Sequence, residues 1–210
     1  MNKFMHLKGI TDDFLAILHE LYGFYYDCLL GFEANLIRFE NLKKNGCPGK
    51  IIAHGSPDDP NTIILHKAPI NELIDRNGNA GLNVNQLRGY MIIMISEHWN
   101  NKIRMRIAKL FKKELNDIRS YIMGDINKIR NDLLHSRGKA NKSASNKIIK
   151  FEKESMIMFD EEVFHIIFAE IFKYINKLFE QEFGQKGYTN NSFNQHAIQQ
   201  HLARKNVVVI

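Results

Sequence analysis

The sequence lacks the apolar runs that mark membrane-spanning segments. Its longest run, YMIIMIS, falls far short of the roughly 18 apolar residues that a spanning helix needs. The start of the chain, MNKFMHLKGITDD, has no sustained apolar core and no small-residue cleavage site, so we expect no signal peptide. Cysteine is also scarce, because Cys28 and Cys47 are the only two and form neither a CxxC pair nor a disulfide framework. We therefore expect a cytoplasmic protein with reduced thiols and no membrane contact.

Proline is scarce and is confined to one segment. All four prolines lie between residues 48 and 69. Because proline interrupts helices, the segment from 46 to 83 is predicted to be an irregular connection, with a short strand at TIILH and a short helix near residues 69–76. In the remainder of the chain, apolar residues recur at three- and four-residue steps, which is typical of long helices.

Four main helices are predicted from this spacing. They cover residues 11–44, 83–111, 113–135 and 161–183, the first as one long helix or two short ones. Thr11, Asn83 and Asp160 are the expected N-cap residues, and Gly138 is the expected stop after the third helix. The sequences KIIKF and SMIMF alternate apolar and polar residues, which predicts a small β-hairpin before the last helix.

The expected fold class is therefore all-α. It is a helical bundle of four main helices with a small β-hairpin and short irregular segments. A chain of 210 residues has room for one sizeable domain, which we place at residues 1–183. Residues 184–210 are polar and poor in core-forming side chains, so we expect a loosely held tail there, with one weak helix at residues 194–204.

Positive charge is concentrated in the middle of the chain. Residues 101–153 hold 15 Lys and Arg against 5 Asp and Glu, whereas the net charge of the whole chain is only +6. The remainder is therefore mildly acidic. A basic middle of this kind indicates a polyanionic partner. A solvated lysine-rich surface without any partner explains the charge equally well.

One segment combines side chains that suit catalysis. IRNDLLHSRG, residues 129–138, ends the third predicted helix. At 100 degrees per residue, the core face of that helix is formed by Ile122, Ile126, Ile129 and Leu133. Asn131 and His135 are four residues apart and share the opposite face with Gly124. Arg130 lies between the two faces.

Two interpretations of this pattern compete. In the first, the residues of the opposite face are ordinary surface residues, and Arg130 extends from the core edge to a carboxylate such as Asp132 or Glu97. In the second, the arginine and the histidine face a shared cleft, and Gly124 lets another helix approach closely. A phosphate group would suit such a cleft, because arginine offers two planar donors and histidine moves protons near neutral pH.

The hexapeptide RNDLLH resembles the motif of an arginine, four to six residues and a histidine that marks the HEPN superfamily, including the asparagine that often follows the arginine. GDINKIRNDLLHSRG is similar to a segment of a prokaryotic HEPN branch found near defence and toxin–antitoxin genes. Upstream, SEHWNNKIR is similar to the second-helix segment of that branch. The resemblance covers roughly residues 84–183 and includes the loop, the predicted hairpin and the long helix after the motif.

The resemblance implies a compact helical bundle, usually a homodimer in which the motifs of two protomers meet across a two-fold axis. It also implies a metal-independent endoribonuclease that needs no cofactor and acts in phage defence or as a toxin. In such enzymes the ribose 2′-hydroxyl attacks the adjacent phosphate and leaves a 2′,3′-cyclic phosphate and a 5′-hydroxyl. RNA is then the expected partner, and an antitoxin or another defence-system protein is a possible second partner.

Carried over residue by residue, the resemblance implies that His135 is the general acid or base and that Arg130 stabilises the charge on the phosphorane. Asn131 would position the phosphate or the histidine, and Glu97 would orient the arginine or the histidine. The expected RNA contacts around them are Lys128, Arg137, Lys139 and Lys142. Some HEPN toxins carry, at the position of Arg137, a tyrosine that a partner nucleotidyltransferase modifies, and the arginine here argues against that form of neutralisation.

Other kinds of site find little support in the sequence. The nine histidines form no HExxH motif and no tight cluster with aspartate, so we expect no metal site. Two other functions remain open beside the nuclease. One is a non-catalytic HEPN module that binds RNA or a partner protein, and the other is a plain helical interaction protein.

Overall fold

The computed structural model describes residues 2–46, 51–54 and 66–189. In chain order the elements are α1 (Lys3–Lys44), β1 (Ile51–His54), β2 (His66–Pro69), α2 (Ile70–Asn77), α3 (Leu82–His98), α4 (Arg104–Phe111), α5 (Tyr121–His135) and α6 (Glu161–Phe183). A π-helical turn at Trp99–Ile103 joins α3 to α4. The structure is thus mostly helical with one small antiparallel sheet in the described residues, which agrees with the expected all-α class.

The helices enclose one large apolar core. Fully buried side chains of α1, α3, α4, α5 and α6 meet in it, among them Phe14, Ile95, Ile107, Ile126 and Phe164. A smaller cluster packs the last turns of α1 against β2 and α2, and it consists of Phe39, Ala68, Ile70 and Leu73. No helix in the described ranges is long and apolar enough to cross a membrane.

A glycine lies at the contact between α3 and α5. A Cβ atom on Gly89 of α3 would lie 3.5 Å from Cδ1 of Leu133 on α5. A Cβ atom on Gly124 would meet nothing within 4 Å. The close approach of another helix, which the sequence suggested at Gly124, therefore occurs at Gly89 within this protomer.

The first helix begins earlier than predicted. Its N-cap is Asn2, whose side chain accepts a hydrogen bond from the backbone N–H of Phe4 at 3.0 Å. Thr11, the predicted N-cap, is buried inside α1 and donates its hydroxyl to the carbonyl of Leu7 at 3.0 Å. Since Phe4 and Leu7 both pack on the core, the apolar face continues toward the N-terminus beyond the predicted start.

The third predicted helix begins later than expected. Lys112 takes a left-handed conformation with φ of 53° and ends α4. Leu115, an apolar residue within the predicted helix, is 44% exposed and lies in a 3-10 turn. Ser120 then caps α5, because its hydroxyl accepts a hydrogen bond from the N–H of Met123 at 3.3 Å. The expected helix at residues 113–135 is correct only from residue 121 onward.

The other two long helices are close to their predicted extents. The helix expected at residues 83–111 is present, but the π-helical turn divides it, and Gly81 rather than Asn83 is the N-cap. The Asn83 amide instead donates to the Asn77 side-chain oxygen at 3.3 Å. The prediction for α6 is confirmed, and Asp160 Oδ1 accepts from the N–H of Val163 at 2.6 Å.

The small sheet lies elsewhere than predicted. KIIKF and SMIMF do not pair with each other, and the described residues there contain only an isolated bridge between Lys139 and Met156. The reason is that the Asp125 carboxylate accepts the backbone N–H groups of residues 147–149, which a hairpin would have used. The observed sheet pairs β1 with β2, and the short helix predicted near residues 69–76 is confirmed as α2. Residues 62–65 of the predicted strand TIILH lie outside the described ranges.

The first residues of the predicted tail pack on the helices. The backbone N–H of Tyr188 donates to Asn176 Oδ1 at 3.0 Å. Its hydroxyl donates to Asp12 Oδ1 at 2.6 Å and lies 2.7 Å from the Thr11 hydroxyl. Tyr188 therefore holds residues 184–189 against α1 and α6. The weak helix predicted at residues 194–204 lies outside the described ranges.

We expect Tyr188→Phe to lower the free energy of unfolding by about 1–2 kcal/mol, because the bonds of the phenol hydroxyl to α1 are lost. The matched control is Tyr121→Phe, since Tyr121 is 72% exposed and its change should stay within about 0.5 kcal/mol. Urea unfolding of the wild type and both variants measures the difference. Equal effects at the two positions would contradict an anchoring role for Tyr188.

Candidate functional site

The candidate site lies where α5 packs against the end of α3. Arg130 Nε donates to Glu97 Oε1 at 3.1 Å, and Nη2 lies 2.9 Å from the same oxygen in an ion pair. Arg130 Nη1 donates to Asn131 Oδ1 at 3.0 Å. Three of the four residues expected to be catalytic are therefore joined in one hydrogen-bonded group.

Asn101 is a further member of this group and was not among the predicted site residues. Its side-chain N–H donates to Glu97 Oε2 at 2.8 Å, so both oxygens of that carboxylate are bonded. Asn101 lies in the π-helical turn, a feature that occurs frequently at functional sites. The spacing of four residues between Glu97 and Asn101 on a predicted helix is the pattern from which this contact could have been found.

The ion pair between Arg130 and Glu97 orients the guanidinium and contributes little to stability. The Arg130 side chain is 27% exposed and the Glu97 side chain is 40% exposed. Ion pairs with this degree of solvation contribute about 0–1 kcal/mol. Arginine has five N–H donors, and two of them form hydrogen bonds to Glu97 and Asn131. The remaining donors are available to an anion.

His135 lies one helical turn beyond Asn131 and is exposed. It forms no hydrogen bond with any residue of the described ranges, so it is not joined to the group around Arg130. Asn131 and His135 both lie on the face of α5 opposite its core face, as predicted, and we call this the outer face. Only Asn131 is hydrogen-bonded to Arg130.

Asp132, the other carboxylate considered as a partner of Arg130, points into the protein. It is 1% exposed and accepts the backbone N–H groups of Asn141, Lys142 and Ser143 at 2.9, 3.1 and 2.8 Å. The hydroxyl of Ser143 donates to it as well, at 2.7 Å. Of the two carboxylates that the sequence offered to Arg130, Glu97 is therefore the partner.

The surroundings of Asp132 keep it ionised. Burial raises the pKa of this carboxyl group, but the hydrogen bonds from Ser143, Lys142 and Asn141 outweigh burial and hold its pKa below the ordinary value of 3.8. The charged carboxylate is therefore the form that the fold stabilises at neutral pH.

Residues 136–150, which we call the basic loop, follow the motif. Every third residue from 140 to 149 is buried, namely Ala140, Ser143, Asn146 and Ile149. Five cations of the loop are exposed, and they are Arg137, Lys139, Lys142, Lys147 and Lys150. Three of the predicted RNA contacts belong to this exposed set. None of the five forms an ion pair with an acidic residue in the described part of the chain.

Lys128, the fourth predicted RNA contact, is engaged by the basic loop. Its ammonium group donates to the carbonyl and to the hydroxyl of Ser145, at 3.0 and 3.1 Å. Lys128 therefore holds the loop against α5 and has fewer donors left for a phosphate than the sequence suggested.

Arg137 occupies a position that usually favours glycine. Its φ of 53° is left-handed, and Gly138 follows with φ of 76°. The N–H of Gly138 donates to the carbonyl of Asp132 at 3.1 Å in the turn that ends α5. The left-handed conformation costs a residue with a side chain roughly 1–2 kcal/mol.

Other parts of the structure offer weaker candidates. In the described residues no group of three or more His, Cys, Asp or Glu side chains is placed to hold a metal ion. A shallow depression on the first turns of α6 is lined by Glu161, Glu162, His165, Ile166 and Ala169. It includes no residue of the RNDLLH motif.

Comparison of the chain with protein-family models, with curated proteins and with solved structures finds no match. The resemblance to the HEPN superfamily therefore rests on the residues of the motif and on the order of the helices around it.

We expect Asp132→Asn to lower the free energy of unfolding at pH 7 by about 2 kcal/mol, because an amide donor then faces backbone N–H groups. The pKa of Asp132 is lowered by folding, so its stabilising contribution is present above about pH 4 and is lost as the pH falls toward the folded-state pKa. The difference in urea unfolding between wild type and variant should shrink below about pH 4. Asp27→Asn, at an exposed carboxylate, is the control, and a difference that does not change with pH would contradict the assignment.

Proposed function

We propose that the protein is a metal-independent endoribonuclease of HEPN type. The observation that carries this proposal is the hydrogen-bonded group of Glu97, Arg130 and Asn131 beside the exposed His135. Glu97 and Arg130 are 33 residues apart in sequence, so their pairing depends on the fold and not on local spacing. The similarity of RNDLLH to the HEPN motif assigns phosphate chemistry to these residues and suggests phage defence or a toxin as the setting.

In the proposed reaction the ribose 2′-oxygen forms a bond to phosphorus, and the bond from phosphorus to the 5′-oxygen breaks. His135 transfers a proton, either from the 2′-hydroxyl or to the departing 5′-oxygen. Arg130 stabilises the negative charge on the phosphorane, since its guanidinium keeps N–H donors that form no hydrogen bond to Glu97 or Asn131. In a homodimer, the histidine of the second protomer would serve the other proton transfer.

Glu97 and Asn131 are positioning residues in this proposal. Glu97 accepts a hydrogen bond from Arg130 Nε and forms an ion pair with Nη2, which restricts the rotation of the guanidinium. Asn131 accepts Nη1, which leaves its own amide N–H groups for a phosphate oxygen. A pre-oriented arginine can stabilise the transition state without rearranging during the reaction.

A non-catalytic module that binds RNA or a partner protein is the second candidate. The observation that favours it is that His135 is not hydrogen-bonded to the group around Arg130 in the described residues. The donors of Arg130 could then serve only to join α5 to α3.

Exposed apolar side chains near the site support the homodimer. Tyr90, Met94 and Glu97 follow one face of α3 at steps of four and three residues, and Tyr90 and Met94 are 63% and 43% exposed. Leu134, next to His135, is 48% exposed. A second copy that covers these side chains would bring the two motifs close to each other.

The proposed activity is tested by incubating total RNA with the purified protein in EDTA. We expect products with 2′,3′-cyclic phosphate and 5′-hydroxyl ends from the wild type. His135→Ala and Arg130→Ala should each lower the cleavage rate at least about 100-fold, the usual range for loss of an acid–base or charge-stabilising group. His6→Ala, at an exposed histidine in the first turn of α1, is the matched control.

Each outcome of this test decides between the two candidates. Cleavage that both motif variants retain would remove RNDLLH from the catalytic site. Folded wild type that binds RNA without cleaving it would favour the non-catalytic module.

We expect Leu134→Glu to shift the protein from dimer to monomer, because a charge would be buried in the contact between the two copies. The matched control is Ile37→Glu, which changes a residue of α1 that is 53% exposed. Sedimentation equilibrium of the wild type and both variants measures the oligomeric state. A wild type that is monomeric at micromolar concentration would contradict the dimer.

A further inference from the structure

We infer that the basic loop, residues 136–150, is a pre-ordered surface that binds the sugar-phosphate backbone of RNA next to the cleaved phosphate. The inference rests on the proposed function, because its ligand is the RNA on which Arg130 and His135 would act. It adds Lys147 and Lys150 to the RNA contacts. It also makes Asp125 and Asp132 positioning residues, which hold the loop and do not touch the RNA.

Three side chains of α5 hold the basic loop. Asp132 accepts the backbone N–H groups of residues 141–143, and Lys128 donates to Ser145. Asp125 accepts the N–H groups of residues 147–149, at distances from 2.6 to 3.2 Å. Residues 141–143 of the loop contact residue 132 of the helix, and residues 147–149 contact residue 125. The loop therefore runs antiparallel to α5 over about 10 Å.

The helical geometry places this loop beside the candidate site. At 100 degrees per residue, Asp125, Lys128 and Asp132 share one side of α5. His135 lies about 50 degrees from that side, whereas Arg130 lies about 170 degrees from it. The outer face of α5 is thus flanked by Arg130 on one side and by the basic loop on the other. A strand whose phosphate lies on this face can continue onto the loop.

The chemistry of the loop selects a phosphate backbone. No Asp or Glu occurs between residues 133 and 151, and five exposed cations do. The two nearest carboxylates of α5, Asp125 and Asp132, are each 1% exposed and are satisfied by N–H donors. The loop has no aromatic side chain on which a base could stack, so the contact is with phosphates and not with bases.

The test measures binding of a 2′-O-methyl oligonucleotide of about ten nucleotides, which cannot be cleaved by 2′-oxygen attack. We expect Lys147→Gln/Lys150→Gln to weaken binding at least about fivefold. The slope of log Kobs against log salt should become shallower by about 1.4, from about 0.7 for each lost phosphate contact. Lys43→Gln/Lys44→Gln, with the same charge change in the last turn of α1, is the matched control and should change neither quantity.

A second pair of variants tests the role of the buried carboxylates. Asp132→Asn and Asp125→Asn each remove a negative charge, so charge alone would strengthen RNA binding. If these residues position the loop, binding weakens at a temperature where the variants remain folded by circular dichroism. Asp27→Asn makes the same charge change at an exposed residue and should leave binding unchanged or slightly tighter.

The inference is overturned if the wild type does not bind the oligonucleotide at low salt or if the double lysine variant binds as tightly as the wild type. It is also overturned if polyglutamate of equal charge displaces the oligonucleotide equally well, which would indicate an acidic protein as the partner. Because the probe cannot be cleaved, these outcomes are independent of ribonuclease activity. Cleavage with unchanged binding in the lysine variant would leave the proposed function standing without this surface.

Discussion

The close packing of α5 on α3 at Gly89 is the constraint on which the candidate site depends. Leu133 lies against this glycine, and a Cβ atom there would already be in van der Waals contact with it. Any larger side chain would push the two helices apart. Glu97 of α3 and Arg130 of α5 pair across this contact between the two helices. The site is therefore a product of the core and cannot form on an isolated helix.

Asp125 and Asp132, the two acidic residues of α5, have a different structural role from Glu97. Asp125 and Asp132 are seven residues apart, and each replaces water around backbone N–H groups of the basic loop. A buried carboxylate is costly unless donors surround it, and here the loop supplies those donors. The loop and the helix therefore depend on each other for their hydrogen bonds. The exposed lysines of the loop are carried on a fixed backbone rather than on a free one.

How much could be predicted from the sequence depended on the range of the interactions. The bounds of α6 were predictable because its cap, Asp160, acts on a residue three positions away. The outer face of α5 followed from helical periodicity alone. The hairpin predicted at KIIKF and SMIMF is absent. Asp125, more than twenty residues away in sequence, accepts the backbone N–H groups that the hairpin would have needed. The predicted start of α1 was wrong because Thr11 is a residue type common at N-caps. Its hydroxyl instead forms hydrogen bonds within the helix and with Tyr188.

The same distinction applies to the site. Arg130, Asn131 and His135 were found from one short motif. The role of Asp132 within that motif was not predictable, because its partners lie in a loop nine to eleven residues further along the chain. The contact of Asn101 with Glu97 was predictable from the sequence, since the two residues are four apart on a predicted helix. Local spacing therefore identified the side chains of the site, and long-range hydrogen bonds decided which of them work together.

The most direct test of the central claim uses an RNA oligonucleotide that the protein cleaves at one known position. A single 2′-deoxy substitution is placed on the ribose immediately 5′ of the cleaved phosphate. If the 2′-hydroxyl is the nucleophile, cleavage at that position is abolished, while binding of the oligonucleotide is retained. Cleavage that continues at the substituted position would show that another nucleophile attacks the phosphate, and it would contradict the mechanism proposed for Arg130 and His135.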